Sequence, residues 1–279
     1  MSFRLEGPEG RGNAVVVEVP HAGLVLPAET LATLQVDART VLRDADAYVD
    51  RLYAHSPRAG ATLLVAECSR YVVDLNRRPD DLDGAAVEGV GAPRGWFPRG
   101  VIWRETGDGT AALKRRLTRA EFDQRMALYY APYHAALSAQ MVALHRRHGR
   151  ALLLAAHSMP STDRVPGAPS TVTPRRRADI VPGSLGRTTA HPALVDAVEQ
   201  HFRAAGLSVR HDDPYRGGAT TAHWGRPAEG FHAVQVEINR ALYMDEASGA
   251  PRPDGMAFLT GLCTQLVTRL GVVLDALRD

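Results

Sequence analysis

The stretch "AVVVEVPH" (residues 14–21) is a short run of β-branched residues that ends at a proline and leads directly into a histidine. Valine favours extended structure, and proline lacks the N–H group that a sheet ladder needs. The run therefore predicts a buried strand, with His21 at the point where the chain leaves the sheet.

Similar apolar runs recur along the chain and alternate with segments of helical character. Such an alternation is typical of an α/β sandwich with a largely parallel sheet, and this is the fold class that we predict. No loop separates two independent sets of core strands, so we expect a single domain over residues 1–279. The further predicted strands are "ATLLVAE" (61–67), "RYVVDL" (70–75), which continues or pairs with the preceding run, "RALLLAA" (150–156), "LSVR" (207–210) and "AVQVEI" (233–238).

The predicted helices begin and end at recognisable signals. Asp44 is predicted to cap a helix over residues 44–57. The capping-box pattern "TRAE" (118–121) opens a helix that runs to Gly149, with a break or kink at Pro132. Two further helices are predicted over residues 192–205 and from about residue 254. Residues 158–187 have no regular pattern, and residues 78–109 are too long for a simple connector, which predicts a loop or lid at about 78–110.

Composition excludes several classes of protein. The 279 residues are 45% hydrophobic and 23% charged with a formal net charge of +2, which is ordinary for a soluble globular protein. The densest basic patch, "TPRRRAD" (173–179), is short and predicts a solvated loop, so we expect no nucleic-acid partner. Cys68 and Cys263 cannot form a disulfide framework, and we find neither a signal peptide nor an apolar run of the roughly 20 residues that cross a bilayer. We therefore expect a cytoplasmic protein with no membrane partner.

Four polar residues stand at or just beyond the ends of apolar strand runs. They are His21, Arg70, His157 and Glu237. Because the carboxyl ends of parallel strands meet at one edge of a sheet, we expect these side chains to converge there.

His21 and His157 are the best candidates for metal ligands, because neutral imidazole suits zinc. A third ligand is needed, and "RDADAY" (43–48) offers Asp44 and Asp46. The alternative for either histidine is a hydrogen-bonded core or cap residue.

Glu237 lies in the middle of an apolar run, where a carboxylate is costly unless it is functional or paired. It is either a general base or half of a structural ion pair with Arg240 or another arginine.

The stretch "SRYVVDLNRRPDD" (69–81) places several polar side chains directly after a predicted strand. Asn76 and Arg77 together are suited to clamp a carboxylate, since guanidinium binds it bidentately and the amide adds a donor. Arg70 would then be free to stabilise an oxyanion. The alternative is that Asp74 neutralises Arg70 or Arg77 in a structural ion pair.

Two other motifs give weaker evidence of a functional site. We interpret "HRRH" (145–148) as a solvated helix end and "YRGGAT" (215–220) as a turn that places Arg216.

Taken in order, a set of motifs over about residues 15–246 resembles the N-formylglutamate amidohydrolase family, also called N-formylglutamate deformylases. This resemblance implies a three-layer α/β/α sandwich around a mixed, largely parallel sheet, of the phosphorylase/hydrolase-like kind found in zinc carboxypeptidases and aspartoacylases. It implies one catalytic Zn²⁺ per chain. The motifs are "PHAG" (20–23), "DADAYVDRLY" (44–53), "SRYVVDLNRRPDD" (69–81), "PYHAAL" (132–137), "HS" (157–158), "YRGGATTAHWGRPAEGFHAVQVEI" (215–238) and "LYMDE" (242–246).

The resemblance also implies roles for individual residues. His21 and His157 correspond to the zinc histidines and Glu237 to the glutamate that activates water. By similarity to aspartoacylases, Arg70 polarises the carbonyl oxygen, while Asn76 and Arg77 clamp a carboxylate. Arg216 or Arg240 is then expected to hold a second carboxylate of the substrate.

The implied activity is hydrolysis of N-formyl-L-glutamate to formate and L-glutamate, and the family's usual setting is histidine degradation. The expected partner is this small molecule, bound by a monomer or small homo-oligomer. The chain departs from the related patterns at two places. His21 does not begin the H-x-x-E motif of carboxypeptidase-type sites, so Asp46 or Asp44 must supply the acidic ligand. Ala155 stands where a D-x-H-S pattern has an aspartate. The alternatives are a hydrolase of another N-acyl amino acid or small peptide, and a non-catalytic binding homologue.

Overall fold

The computed structural model describes residues 2–10, 12–92, 94–95, 98–163 and 173–277. Over these residues, six strands form one sheet in the order β1-β3-β2-β4-β6-β5. β2, β3, β4 and β6 are parallel neighbours, while β1 and β5 are antiparallel at the two edges. The predicted mixed, largely parallel sheet is therefore confirmed. The strands are β1 (Phe3–Glu6), β2 (Val15–Val19), β3 (Thr62–Ala66), β4 (Ala151–Met159), β5 (Ile180–Gly183) and β6 (Phe231–Asn239).

Helices cover both faces of the sheet. Side chains alternate along each strand, so Val17 packs into one hydrophobic cluster and Val16 into the other. The first cluster includes residues of α3, α6 and α8, and the second includes residues of α4, α5 and α7. This is the predicted three-layer arrangement. The helices are α1 (Ala28–Leu31), α2 (Ala38–Asp44), α3 (Val49–Leu52), α4 (Arg119–Arg125), α5 (Ala131–His148), α6 (Pro192–Ala204), α7 (Ala219–Trp224) and α8 (Pro253–Ala276), with a π turn at Met126–Tyr130 and 3-10 turns at Pro227–Glu229 and Arg240–Leu242.

The prediction that residues 70–75 form a strand is wrong. The segment is buried but consists of turns, and its backbone finds partners outside any ladder. Arg125 donates to the carbonyl oxygens of Tyr71 and Val72, which lie 3.3 and 3.2 Å from its Nη1 atom. A buried guanidinium thus satisfies backbone groups that a neighbouring strand would otherwise bind. The predicted strand at 207–210 is also reduced, to a single bridge between Ile180 and Val209.

The predicted helix cap at Asp44 is wrong as well, because Asp44 is the last residue of α2. Asp37 caps that helix instead, accepting from the Thr40 N–H at 2.7 Å. The chain then turns at Tyr48, whose φ of 66° is left-handed, and α3 follows. The capping box of Thr118 and Glu121 is confirmed.

The expected irregularity near Pro132 takes the form of the π turn that precedes it. Proline lacks an N–H group and its ring crowds the carbonyl group four residues earlier, so a widened turn relieves the conflict. Gly149 ends α5 with a φ of 74°, a left-handed conformation that glycine adopts without steric cost.

The segment predicted to be a lid is largely packed against the body of the protein. Leu82, Val87, Val101 and Trp103 are buried in the second cluster. Pro93, Trp96 and Phe97 of this segment lie outside the described residues, as do residues 164–172 of the segment predicted to be irregular. The described part of the latter contains β5.

α8 corrects the expectation that no apolar run is long enough to cross a bilayer. In the part of the chain that the structure describes, it is the one helix that is long enough and apolar enough to cross a membrane, judged by length and composition alone. Its apolar side is nevertheless used inside the protein, since Leu259, Cys263, Leu266 and Leu270 are fully buried in the first cluster. A core helix that is apolar over most of its surface gives the same signal.

Glu18 is an acidic residue in the middle of the central strand β2. Its side chain is fully buried, and its Oε1 atom accepts from the Tyr133 hydroxyl at 3.2 Å. Its Oε2 atom has no hydrogen-bond partner among the described residues. Burial raises the pKa of Glu18 to about 7, although Thr220, His157 and Tyr133 each lower it. The native state therefore favours a neutral, protonated Glu18.

This arrangement predicts how stability changes with pH. Between the ordinary pKa of 4.5 and about 7, the native state holds a proton that the unfolded chain has lost. The contribution of Glu18 is thus fully present below pH 4.5 and is lost as the pH rises through about 7. Glu18→Gln mimics the neutral form at every pH, so wild type should lose up to ~3 kcal/mol relative to this variant between pH 4.5 and 8.

Denaturant unfolding of both proteins in chelator, at pH 5 and pH 8, measures the change. A difference in unfolding free energy between the two proteins that is the same at both pH values would contradict the prediction.

Candidate metal centre

Several of the residues singled out in the sequence meet at the carboxyl edge of the parallel strands. His21 lies two residues beyond β2, whereas His157 lies within β4, which continues to Met159 rather than ending before the histidine. Asp46 follows α2, and its backbone N–H donates to the carbonyl oxygen of His21 at 3.0 Å. The two imidazole rings are 5.0 Å apart between centroids. The loop therefore delivers an aspartate to the gap beside two histidines.

His21, Asp46 and His157 form a buried group that could hold a metal ion. One ligand atom from each residue lies within 4.8 Å of the others. The Oδ2 atom of Asp46 is 2.9 Å from Nδ1 of His157 and 3.6 Å from Nδ1 of His21. The side chains are only 2 to 4% exposed, so water competes little for these atoms.

Asp74 orients His21 from behind. Its Oδ1 atom is 2.8 Å from Nε2 of His21 and accepts from the Asn76 N–H at 2.9 Å. Its Oδ2 atom accepts from Arg70 at 2.8 Å and from the Trp103 indole at 2.9 Å. Burial raises the pKa of Asp74, but the charges of His21 and Arg70 outweigh burial and hold it well below its usual value. An ionised Asp74 fixes the ring proton of His21 on Nε2 and leaves Nδ1 as a lone-pair donor.

The donor set fits a zinc ion. Nδ1 of His21 is a buried polar atom with no hydrogen-bond partner in the described part of the chain, and it faces Asp46. A buried nitrogen left in this state is costly unless something else binds it. Two imidazole nitrogens and one carboxylate oxygen are ligands that catalytic zinc sites use.

His157 is held on both ring nitrogens. Its Nδ1 atom hydrogen-bonds to Asp46, and its Nε2 atom lies 3.1 Å from Nδ2 of Asn76. The Asn76 amide is oriented by Thr220, whose N–H donates to Oδ1 at 3.1 Å, so Nδ2 donates to the ring. This network places the His157 proton on Nδ1, and a cation bound at that nitrogen would displace it.

Asp44, the other aspartate predicted as a ligand, is directed elsewhere. Its carboxylate accepts from the Tyr71 hydroxyl, from the Gly107 N–H at 2.8 Å and from Arg43 at 3.0 Å. It ties α2 to two loops, and the structure does not include it in the histidine cluster.

Arg240 holds Asp46 in place. Its Nη2 atom donates to Oδ1 of Asp46 at 3.1 Å, and its Nε atom donates to the Ser158 hydroxyl at 3.1 Å. Burial raises the pKa of Asp46, but its hydrogen bond with His157 and its interaction with the nearby His21 outweigh burial and hold the pKa well below its usual value. The sequence assigns Arg240 to substrate binding, whereas the structure uses its donors inside the protein.

Arg70 forms the ion pair with Asp74 that the sequence left as an alternative. Its guanidinium also stacks on Trp103 at 4.3 Å and lies 3.9 Å from Asp46. Its side chain is 12% exposed, so it stands between the buried centre and the surface.

Glu237 and His157 are register partners on β6 and β4, so their side chains lie on the same face of the sheet. Glu237 is 6% exposed and accepts from Nε2 of Gln235 at 2.9 Å. Burial raises the pKa of Glu237 to about 7. The charge of His157 lowers it, that of Asp46 raises it and that of Arg240 lowers it again. A carboxyl group poised near neutrality is suited to proton transfer.

The predicted carboxylate clamp is arranged differently from the expectation. The Asn76 amide contacts His157, Gln235 and Thr220, and Arg77 donates to the carbonyl oxygens of Asn76 and Arg99 at 3.0 Å. In this structure Asn76 therefore supports the histidine.

Arg216, predicted as a second anchor, is 64% exposed and lies 3.9 Å from Asp212. Within the described ranges, it makes no hydrogen bond or ion pair with the cluster.

Sequence reasoning missed the organising role of Asp74, Gln235 and Trp103. Asp74 was visible only as a counter-ion for arginine, because its contacts with His21 and Trp103 depend on turns that a strand prediction hides. The one available signal was its place four residues after Arg70 in a buried segment.

Comparison with known proteins gives consistent results. The sequence profile of the N-formylglutamate amidohydrolase family matches residues 13–244. The N-formylglutamate deformylase of Pseudomonas aeruginosa is 34% identical over 235 residues, which are 83% of this chain and 82% of that protein. A protein of the same name from Pseudomonas putida is 31% identical with the same coverage.

Two solved structures share the architecture. The crystal structure of N-formylglutamate amidohydrolase from Ralstonia eutropha matches with a TM-score of 0.87 and 36% identity, and the match covers 97% of each chain. A gene product from Agrobacterium tumefaciens matches with a TM-score of 0.62 and 21% identity over 95% of this chain and 94% of that one, which shows the fold alone.

The placement of the two aspartates predicts different effects of removing each charge. Asp46→Asn should reduce bound zinc from about one ion per chain to a small fraction, because a ligand is lost. Asp44→Asn should retain zinc and lose only stability, since its carboxylate binds Tyr71 and Gly107.

Metal analysis after dialysis against zinc, with thermal melting to confirm folding, distinguishes them. The assignment fails if folded Asp46→Asn keeps its zinc.

Proposed function

The chain belongs to the N-formylglutamate amidohydrolase family, and from this we propose that it hydrolyses the formyl amide of N-formyl-L-glutamate to formate and L-glutamate, using one zinc ion per chain. As a member of this family it is an amidohydrolase of linear amide C–N bonds. The observation that carries the proposal is the buried group of His21, Asp46 and His157 with Glu237 beside it.

His21, Asp46 and His157 would hold the metal. When bound there, zinc supplies Lewis acidity and lowers the pKa of a water molecule toward neutrality. Asp74 and Arg240 keep two of these ligands in place through the hydrogen bonds described above. The centre is therefore shaped before any substrate arrives, which lowers the cost of reorganisation during the reaction.

Glu237 is the general base and then the general acid. It accepts a proton as water attacks the formyl carbon, and it delivers a proton to the amine nitrogen as the C–N bond breaks. One water molecule is consumed, and formate and the free amino acid are released. Arg70 donates to the carbonyl oxygen as negative charge develops there, and the cation–π contact with Trp103 holds its guanidinium in place.

Arg77 is the proposed anchor for one carboxylate of the substrate, since it is close to the centre and partly buried next to Asn76. The arrangement of Asn76 leaves a second candidate open, namely hydrolysis of another N-acyl amino acid or a small peptide. The observation that favours it is that the Asn76 amide already binds His157 and Gln235.

We also propose a cytoplasmic location and a place in histidine degradation, as the family resemblance implies.

Formate and amine release from N-formylglutamate and a panel of other N-acyl amino acids tests the proposal. The protein is assayed as isolated, after chelation and after zinc is restored. Release should require zinc and should be fastest with N-formylglutamate.

Glu237→Gln should lower kcat by about 10²- to 10⁴-fold, the usual contribution of a positioned acid or base. Glu88→Gln, an exposed change of the same type, serves as the matched control and should be fully active. If the zinc-loaded protein hydrolyses nothing in the panel, the deformylase proposal is abandoned in favour of a peptide substrate or a non-catalytic role.

A further inference from the structure

We propose that Arg177, held against Tyr215, binds the side-chain carboxylate of the substrate and so selects N-formyl dicarboxylic amino acids over uncharged ones. The inference rests on the proposed function and deepens it, because it assigns the substrate's second negative charge to a residue. The sequence assigns this role to Arg216 or Arg240. Arg240 is committed to Asp46 and Ser158, and Arg216 is exposed beside Asp212.

Arg177 lies at the same sheet edge as the metal centre. Its carbonyl oxygen accepts from Nδ2 of Asn239 at 3.3 Å, and Asn239 is the last residue of β6. Asn239 is two residues beyond Glu237, so the two side chains share a face and are about 7 Å apart along the strand. The guanidinium donates to the carbonyl oxygen of Pro160, directly after β4, at 3.1 Å. Arg177 thus reaches across the ends of the two strands that carry His157 and Glu237.

Tyr215 connects Arg177 to the centre. Nη1 of Arg177 donates to the Tyr215 hydroxyl at 3.1 Å, and the guanidinium carbon lies 5.3 Å from the ring centroid. Tyr215 is close enough to the centre to respond to its charges. Burial raises its pKa, the charge of Glu237 raises it further, and those of Arg177 and Arg240 lower it. Tyr215 therefore binds Arg177 directly and lies within electrostatic range of Glu237.

The charge of Arg177 is not neutralised within the described residues. The neighbouring arginines of the same basic patch each have an acidic partner, Asp163 for Arg175 and Asp179 for Arg176. No ion pair of Arg177 with a carboxylate is found in the described ranges, and its Nε atom is buried without a hydrogen-bond partner there. A buried guanidinium donor without a partner is costly. Because Nε belongs to the edge that binds carboxylates bidentately, an anionic group of the substrate is the ligand that best satisfies it.

The loop that carries Tyr215 is fixed by its glycines. Gly217 has a φ of 124°, which side chains rarely adopt, and the N–H of Gly218 donates to Oε1 of Gln235 at 2.8 Å. Gln235 also donates to Glu237, so one side chain positions both the loop and the proposed base. Tyr215 and Arg177 are therefore placed by the same strand that carries the chemistry.

The test compares N-formyl-L-glutamate with N-formyl-L-glutamine, which has nearly the same shape but no side-chain charge. Arg177→Met removes the charge and keeps an apolar stem. It should lower kcat/KM for N-formylglutamate by about 30-fold or more, mainly through KM, because a paired charge is lost. Hydrolysis of N-formylglutamine should change by less than about 2-fold. Arg177→Lys retains the charge without the bidentate edge and should restore part of the selectivity.

Arg176→Met is the matched control, since it removes an adjacent arginine that is paired with Asp179, and it should leave the ratio of the two substrates unchanged. Equal losses with both substrates, or an unchanged ratio in both Arg177 variants, would overturn this inference while leaving the proposed function intact. If the unmodified zinc-loaded enzyme hydrolyses neither substrate, the proposed function itself fails, and this inference fails with it.

Discussion

The buried carboxylate of Asp46 is the interaction on which the rest of the centre depends. One of its oxygens faces both histidines, and the other is bound by Arg240. Removing charges from water costs several kcal/mol per ion, so such a cluster persists only when each charge has well-placed partners. The structure meets this requirement with two carboxylates and two guanidinium groups, Asp46 with Arg240 and Asp74 with Arg70. Glu237 forms no ion pair with an arginine or lysine in the part of the chain that the structure describes, and burial is the largest influence on its pKa.

The parts of this design that a sequence reveals are those that follow from strand ends. Repeated apolar runs predict the parallel sheet, and polar residues at their ends predict that His21, His157 and Glu237 lie together. The position of Asp46 relative to Asp44 could not be deduced in this way. Both are buried and two residues apart, and only the left-handed turn at Tyr48 and the end of α2 decide which one faces the histidines.

The segment from Arg70 to Arg77 shows a different limit of sequence reasoning. Its apolar pattern is that of a buried strand, and the residues are indeed buried. Pattern alone reports burial, however, and does not show which groups satisfy the backbone. Here the long side chain of Arg125 does so from another element, at the cost of desolvation that lowers its pKa to about 10. Freed from a ladder, the segment can turn Asp74 toward His21 and Asn76 toward His157.

The π turn between α4 and α5 explains how this segment is held at both ends. In an α-helix, side chains five residues apart differ by about 140° around the axis, whereas the wider π turn, with its i→i+5 hydrogen bonds, reduces this angle. Arg125 and Tyr130 are separated by five residues across this turn. Arg125 donates to the carbonyl oxygens of Tyr71 and Val72. The Tyr130 hydroxyl donates to the carbonyl oxygen of Arg77 at 2.8 Å. The extra residue in the helix thus places Arg125 and Tyr130 so that both can hydrogen-bond to the segment. In a chain shorter by that one residue, one of these two side chains would lose its hydrogen bond to the segment that shapes the centre.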